Sequence, residues 1–333
     1  MTTTSHGHHE AIVVGGGQAG LATAYYLLAR GVDTLVLDNN MGPGGAWSMY
    51  WDTMTLLSEP AQSSLPGMAM PDVPGGLTPA HMVEYLTNYE GVFDIPVRRP
   101  VRVLHVRPAG AHFTVETDQG TWTASQVIMA TGTYARPLVP HVEGTIMGQF
   151  WHVANYPGRD TFRGKKVAVV GAGNAAAQIG AELSEVAEVI WLTDTEPRLV
   201  DASLTGADYH RLIAERRDAI LAGATDVPSD PAELGNIIQT PPVKAAIESG
   251  ALTPTPLPET LDGLEVNHLI WATGFEPGLY PVRGLVEDGR PSVEGLHLVG
   301  YGGASGYGSD TIAGIGPWAQ HTARTVAEGL GKR

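Results

Sequence analysis

Residues 169–178 read VVGAGNAAAQ, and residues 13–22 read VVGGGQAGLA. In each, a short apolar run stops at a glycine, glycine recurs at a fixed spacing, and a helix-forming stretch follows. In the earlier copy Gly15, Gly17 and Gly20 make G-x-G-x-x-G. The first glycine of such a pattern makes a tight turn. The second lets backbone N–H groups approach a pyrophosphate, and the third lets helix pack closely on strand. The helix then presents the positive end of its dipole to the phosphates. Asp38 closes the next apolar run, TLVLD, about twenty residues on, where a carboxylate accepts hydrogen bonds from ribose hydroxyls. Strand, turn, helix, strand and acid in that order predict a dinucleotide site. The plainer alternative is a glycine turn that only packs helix on strand.

In the later copy Gly171, Gly173 and Ala176 repeat the pattern around Asn174 and Ala175, and the strand EVIWLTD ends at Asp194. An acid there bonds the two ribose hydroxyls of NADH and repels the 2′-phosphate of NADPH. Like charges about 4 Å apart, at an effective dielectric near 20, repel by about 4 kcal/mol, and exposure reduces that figure. Arg198, four residues on, is the base that would meet a phosphate instead. NADH is therefore expected over NADPH. Two cradles in one chain serve a purpose when hydride passes from a nicotinamide nucleotide to a bound flavin.

Other runs rich in Val and Ile, among them QVIMATG, KVAVVG, HLIWATG and LHLVGYG, are nearly continuous in apolar residues. Such strands are buried on both faces, the mark of a parallel sheet covered by helices. Residues 18–30 and 174–187 read as the connecting helices. The units are βαβ, and the expected class is α/β: two doubly wound, Rossmann-like dinucleotide-binding domains. Residues 101–123 alternate with a period of two around Asp118-Gln119-Gly120, which predicts a small antiparallel meander in the first domain. Residues 42–79 are rich in Gly and Pro and read as one long functional loop. That loop opens with GPGGAW at 42–47, whose glycines permit close approach to a planar ligand. Trp47 either borders that ligand or packs in the core, and composition favours the core. Residues 204–262 read as mixed helix and loop.

The totals limit the partners. A chain of 333 residues usually holds two domains. Lys and Arg number 20 against 35 Asp and Glu, a net charge of −15, which argues against nucleic acid or an anionic membrane as partner. With no cysteine, disulfides, thiolate metal sites, iron–sulfur clusters and dithiol redox chemistry are excluded. No apolar run approaches the roughly 18 residues of a membrane span. The start, MTTTSHGHHE, lacks the charge and apolar run of a signal peptide, and its histidines read as a disordered tip rather than a metal site. A cytoplasmic enzyme acting on a small molecule is expected, with a homodimer as the prior for its assembly.

Further motifs carry a resemblance. Ala130-Thr131-Gly132 and Ala272-Thr273-Gly274 are paired ATG strand ends, as in flavoproteins with two dinucleotide-binding domains. GGAW, the SSLPGMAMP loop at 63–71, and IMGQFWHVANY at 146–156 resemble segments of flavin-containing monooxygenases. The last keeps Gly148, His152 and Tyr156 of that family's fingerprint, with Ile146 in place of its first Phe. Baeyer–Villiger enzymes have Trp at the last position followed by Pro or Asp, so Tyr156 followed by Pro157 is a mixture that leans towards the flavin-containing monooxygenases. The chain resembles the short bacterial, NADH-tolerant members from residue 11 to about 325.

The resemblance implies a discontinuous FAD domain, residues 1–145 plus 276–333, and an NAD(P)H domain at 146–275. FAD would lie on Gly15, Gly17, Gln18, Ala19, Gly20, Asp38, Asn39, Val103, Ala130, Thr131, Gly132 and Thr311, with Gly45, Ala46 and Trp47 near the flavin. NAD(P)H would lie on Gly171, Gly173, Asn174, Ala175, Ala176, Asp194, Thr273 and Gly274. His152 would order the link between domains. Flavin-proximal candidates are Trp47, Ser58 and Glu59; no metal is implied. The larger members carry an Asn after the GGxW segment, and here Ser58-Glu59-Pro60 stands in its place. Either another group assists the oxygen adduct or the enzyme leaks peroxide. The implied reaction is oxygenation of a sulfide, amine or ketone by O2 through a C4a-(hydro)peroxyflavin. Its rivals are a flavoprotein reductase serving ferredoxin or a small acceptor, and a flavin-bound sensor.

Overall fold

In the computed structural model, which describes residues 4–332, both glycine turns leave the ends of central parallel strands. The strands, in chain order, are β1 (Ser5–Val14), β2 (Thr34–Leu37), β3 (Val97–Arg98), β4 (Val103–Ala109), β5 (His112–Thr117), β6 (Gly120–Met129) and β7 (Gln149–His152). There follow β8 (Lys166–Val170), β9 (Glu188–Thr193), β10 (Pro254–Pro256), β11 (His268–Trp271), β12 (Val286–Glu287), β13 (Arg290–Pro291) and β14 (Leu296–Leu298). The helices are α1 (Gln18–Ala29), α2 (Pro79–Val92), α3 (Asn174–Ser184), α4 (Gly206–Leu221), α5 (Pro241–Glu248) and α6 (Ile315–Gly329).

The first sheet has seven strands in the order β3-β2-β1-β6-β5-β4, with β14 beside β6. β6 is forked. Its first half pairs antiparallel with β5, making the meander, and its last three residues pair parallel with β14. The second sheet, β10-β9-β8-β11-β7, is parallel throughout. The apolar runs behave as their composition dictates: Ala11–Val14, Val127–Met129, Val167–Val170 and Leu269–Trp271 are all buried. α1 and α6 cover one face of the first sheet, where Leu21, Leu27, Ile315, Ala319 and Val326 share a core with Val13 and Ile128. Residues 42–78 hold no α-helix or strand, only two short 3-10 turns.

One expectation is corrected. The histidines at 6, 8 and 9 lie on β1, not on a disordered tip. Polar residues gave no alternation to read; cross-strand partners hold them instead. His6 stacks on Trp122 with ring centroids 3.9 Å apart, His8 meets Thr123 and Ser125, and His9 meets Asp33. Among the described residues no helix is long and apolar enough to cross a membrane.

Candidate active site

Helices α1 and α3 begin on glycines, Gly17 and Gly173, and no side chain caps either N-terminus. Neither first turn carries an acid, so the first N–H groups stay available to an anion. Gly20 acts in packing: a Cβ there would collide with the Gly15 carbonyl oxygen. Gly45 has φ 57° and approaches Gly17 so closely that a Cβ on it would lie 2.8 Å from the Gly17 Cα. The loop after β2 and the first glycine turn thus meet backbone to backbone.

A cavity of about 740 Å³ opens from this meeting. Of the residues expected for FAD, Gly15, Gly17, Gln18, Ala19, Asp38, Asn39, Gly45, Ala46, Trp47, Val103, Ala130, Thr131, Gly132 and Thr311 line it, and Gly20 is buried outside the lining. Asp38 is only 5% exposed. Its Oδ2 accepts from Arg99 Nε at 2.8 Å, and Arg99 also donates to both oxygens of Glu90 at 2.7 and 2.9 Å. Burial alone would disfavour the Arg99 charge, but the two carboxylates outweigh it and raise the guanidinium pKa. Among the described residues Asp38 Oδ1 has only a long contact, 3.5 Å, from the Asn40 N–H, so it keeps acceptor capacity toward the cavity.

At the other end, Trp47 Nε1 donates to Gln18 Oε1 at 3.0 Å, and Gln18 Nε2 donates to the Asp310 carbonyl at 3.0 Å. This chain joins loop, glycine turn and C-terminal segment. Trp47 also packs on the first core, so the two readings of it are not exclusive. Thr131 bonds the Tyr301 hydroxyl, which burial pushes up to about 12. Ser58 lines the cavity with its hydroxyl shared with Ser63 at 2.8 Å. Glu59 is corrected: it is exposed and not part of the lining, because the 3-10 turn beginning at Pro60 carries it outward to water.

Tyr50, Leu56, Leu57, Tyr134, His210 and Asp310 also line the cavity, and the sequence did not single them out. Tyr50 and Trp51 follow GGAW closely enough to be found from that motif. Arg99 and His210 had no local signal, since each reaches the site only through the fold.

The second glycine turn lies apart from this cavity. Asn174 donates to the Asn236 carbonyl at 2.9 Å and accepts from the Ile238 N–H at 2.8 Å, so residues 236–238 bracket it. Ala176 is buried, and Ala175 packs partly into the core below. A Cβ on Gly171 would meet the Ala272 carbonyl. Asp194 is exposed at the end of β9, as is Arg198 beyond it. Thr273 donates to the Leu138 carbonyl at 2.6 Å, and the Leu138 N–H returns to the Gly274 carbonyl.

The two sites are tied directly. Glu182 on α3 accepts from Trp51 Nε1 at 3.0 Å and Thr53 Oγ1 at 2.8 Å, and Gln178, one turn earlier, donates to the Thr55 carbonyl at 3.2 Å. Tyr156 packs edge-on to Trp51 at 5.5 Å, and His152 likewise on Phe275 at 5.0 Å. His152 Nδ1 accepts the Ala154 N–H, and burial lowers its pKa. It is a neutral structural histidine at the link.

Residues 12–219 match the family described as pyridine nucleotide-disulphide oxidoreductase. The structure of a flavin-containing monooxygenase from Stenotrophomonas maltophilia superposes with a TM-score of 0.85 at 32% identity, covering 98% of this chain and 100% of that one. An uncharacterized CzcO-like oxidoreductase of Geobacillus kaustophilus is 28% identical over 94% of this chain and 96% of its own length. A Baeyer–Villiger monooxygenase of Streptomyces coelicolor is 26% identical over 93% of this chain and 64% of its own.

Proposed function

Since the chain belongs to the pyridine nucleotide-disulphide oxidoreductase family and to the flavin-containing monooxygenases, we propose NADH as its reductant and a soft heteroatom or a ketone as its oxygen acceptor. It is an NAD(P)H-dependent flavoenzyme, and the residues present suit FAD. An uncapped helix N-terminus faces the pyrophosphate position, a carboxylate stands at the ribose end, and glycines leave room where side chains would fill the groove. When bound, the flavin supplies the redox chemistry, taking hydride and activating O2.

The observation that carries the oxygenation reading is the cavity itself. Its wall includes the apolar side chains of Trp47, Leu56, Leu57 and Ile312. Such a wall excludes water from the reacting centre and accepts a small organic molecule. The absence of cysteine removes the dithiol step that the wider family's name includes. Polar side chains line the cavity too, among them Tyr50, Tyr134, His210 and Ser58, the last already committed to Ser63.

The NADH preference rests on Asp194, exposed where a 2′-phosphate would need a cation. A higher kcat/KM with NADPH than with NADH would overturn it. Oxygenation is tested with isotope-labelled O2 and methyl phenyl sulfide, benzylamine or phenylacetone. Label in a product supports the monooxygenase reading. Flavin bleaching by NADH with no label in any product, and peroxide instead, supports a reductase or oxidase.

A further inference from the structure

α4 carries Gly206, His210, Ile213 and Arg217 at helical spacing, which places them on one face. That face rides on the segments that close the flavin-side cavity. A Cβ on Gly206 would strike the Leu57 carbonyl, and Gln62 reaches back to the Ala207 carbonyl at 3.0 Å. Further along, a Cβ on Gly308 would lie 2.9 Å from the Ile213 side chain, and Arg217 donates to the Ala313 carbonyl at 3.4 Å. The helix is fixed at its start by a reciprocal Thr205–Asp208 cap.

In the middle of this face, His210 lines the cavity with both Nδ1 and Nε2 shielded from water and without a hydrogen-bond partner. Buried polar atoms are almost always paired, and an unpaired one calls for a reason. Here both heteroatoms of one ring are unpaired, on the wall of a space sized for a ligand. Burial lowers the imidazole pKa, so the ring presents one N–H donor and one acceptor, with no charge.

We propose that His210 is the specificity-determining residue of the organic-substrate site, donating its N–H to an oxygen of a small uncharged molecule such as a carbonyl compound. The assignment rests on the monooxygenase reading of the cavity. An uncharged partner follows from the surroundings. Among the described residues only Asp38 and Asp310 bring carboxylates to the cavity wall, and burial raises the pKa of Asp310; the neutral imidazole itself offers a donor and an acceptor but no charge to pair with an ion. Leu56, Leu57 and Ile312 belong to the same cavity wall, and a carbonyl compound would place its carbon skeleton against them.

The test compares two probes of similar shape, acetophenone and ethylbenzene, which differ in the carbonyl oxygen. Dissociation constants are read from perturbation of the bound-flavin absorbance and, independently, from thermal shift. His210→Phe should weaken acetophenone about tenfold and leave ethylbenzene unchanged, and His210→Gln should recover most of the difference. Without ligand, the Tm of His210→Phe should be no lower than that of the parent, because two unsatisfied atoms are removed. Equal acetophenone affinity in parent and His210→Phe overturns the proposal. So does equal loss for both probes, or a large fall in Tm, each of which makes the ring a packing group. Failure of the underlying reading is separate: the parent protein, reduced by NADH and given labelled O2, would put no label into any organic product and release peroxide instead.

Discussion

Arg99 sets the electrostatics at the ribose end of the cavity. Its side chain is 10% exposed and lies between Asp38 and Glu90, at 6% and 19%. Removing one member of such a cluster leaves uncompensated buried charge, which costs more than the cluster contributes when intact. Arg99→Ala should destabilise the protein by about 3 kcal/mol and release FAD, read from the Tm and from cofactor content. An unchanged Tm would show that water already reaches the site. His297 offers a test by pH. It shares a 2.8 Å hydrogen bond with Gln126 Oε1, and burial lowers its pKa from 6.5 to about 4. The folded ring therefore stays neutral where the unfolded one takes a proton. Stability is lost as the pH falls from 6.5 towards 4, by about 3 kcal/mol at most, and this contribution is flat above 6.5. Denaturant titrations of His297→Gln should show a shallower slope across that window. An identical slope in parent and variant would place the pH dependence elsewhere.

α3 both begins at the second glycine turn and grips the loop beside the first cavity. Its N-terminal turn carries Asn174, Ala175 and Ala176, while Gln178 and Glu182, on the next two turns, hold residues 51–55. The helix is thereby linked to Trp51, whose ring centroid lies 6.0 Å from that of Tyr50 on the cavity wall. Glu182→Ala removes two hydrogen bonds to a carboxylate, worth about 2 kcal/mol together. It should keep its FAD and slow anaerobic bleaching by NADH roughly tenfold, because hydride transfer is sensitive to small misplacements. Stopped-flow reduction at saturating NADH measures this, and a rate equal to the parent's would reduce Glu182 to a surface tie. The fingerprint at 146–156 belongs to the same device. Gly148 packs where a Cβ would strike the Asn267 carbonyl, and Tyr156 packs on Trp51.

At the scale of the whole molecule, the parts legible in the sequence were those written in local periodicity. Glycine turns after apolar runs gave the parallel strands of both sheets, and alternation around Asp118-Gln119-Gly120 gave the meander that β4, β5 and β6 form. Part of the first cavity's lining was readable because the G-x-G-x-x-G, GGAW and ATG segments converge there. Arg99, His210 and Asp310 were not, since each arrives from an element whose own sequence carries no nucleotide signal. The polar start of β1 was missed for the opposite reason: its pairing with β6 comes from distant partners, Ser5 with Thr121 and His9 with Ala124. The fork in β6 has a consequence for biosynthesis. Strands β7 to β11 occupy a continuous stretch, residues 149–271, whereas the first sheet waits for β14, and α1 waits for α6, ending at Gly329. Units fold as their residues leave the ribosome. The later-made sheet should therefore close first, and the earlier-made one should stay open, unable to hold its flavin, until translation is nearly over. Ribosome-stalled chains ending near residue 310, whose last stretch including β14 is still inside the ribosome, should show protease-resistant 149–271 and no FAD. A stalled chain that retains FAD would mean that the first sheet does not need its last strand, and that cofactor loading begins during synthesis rather than after it.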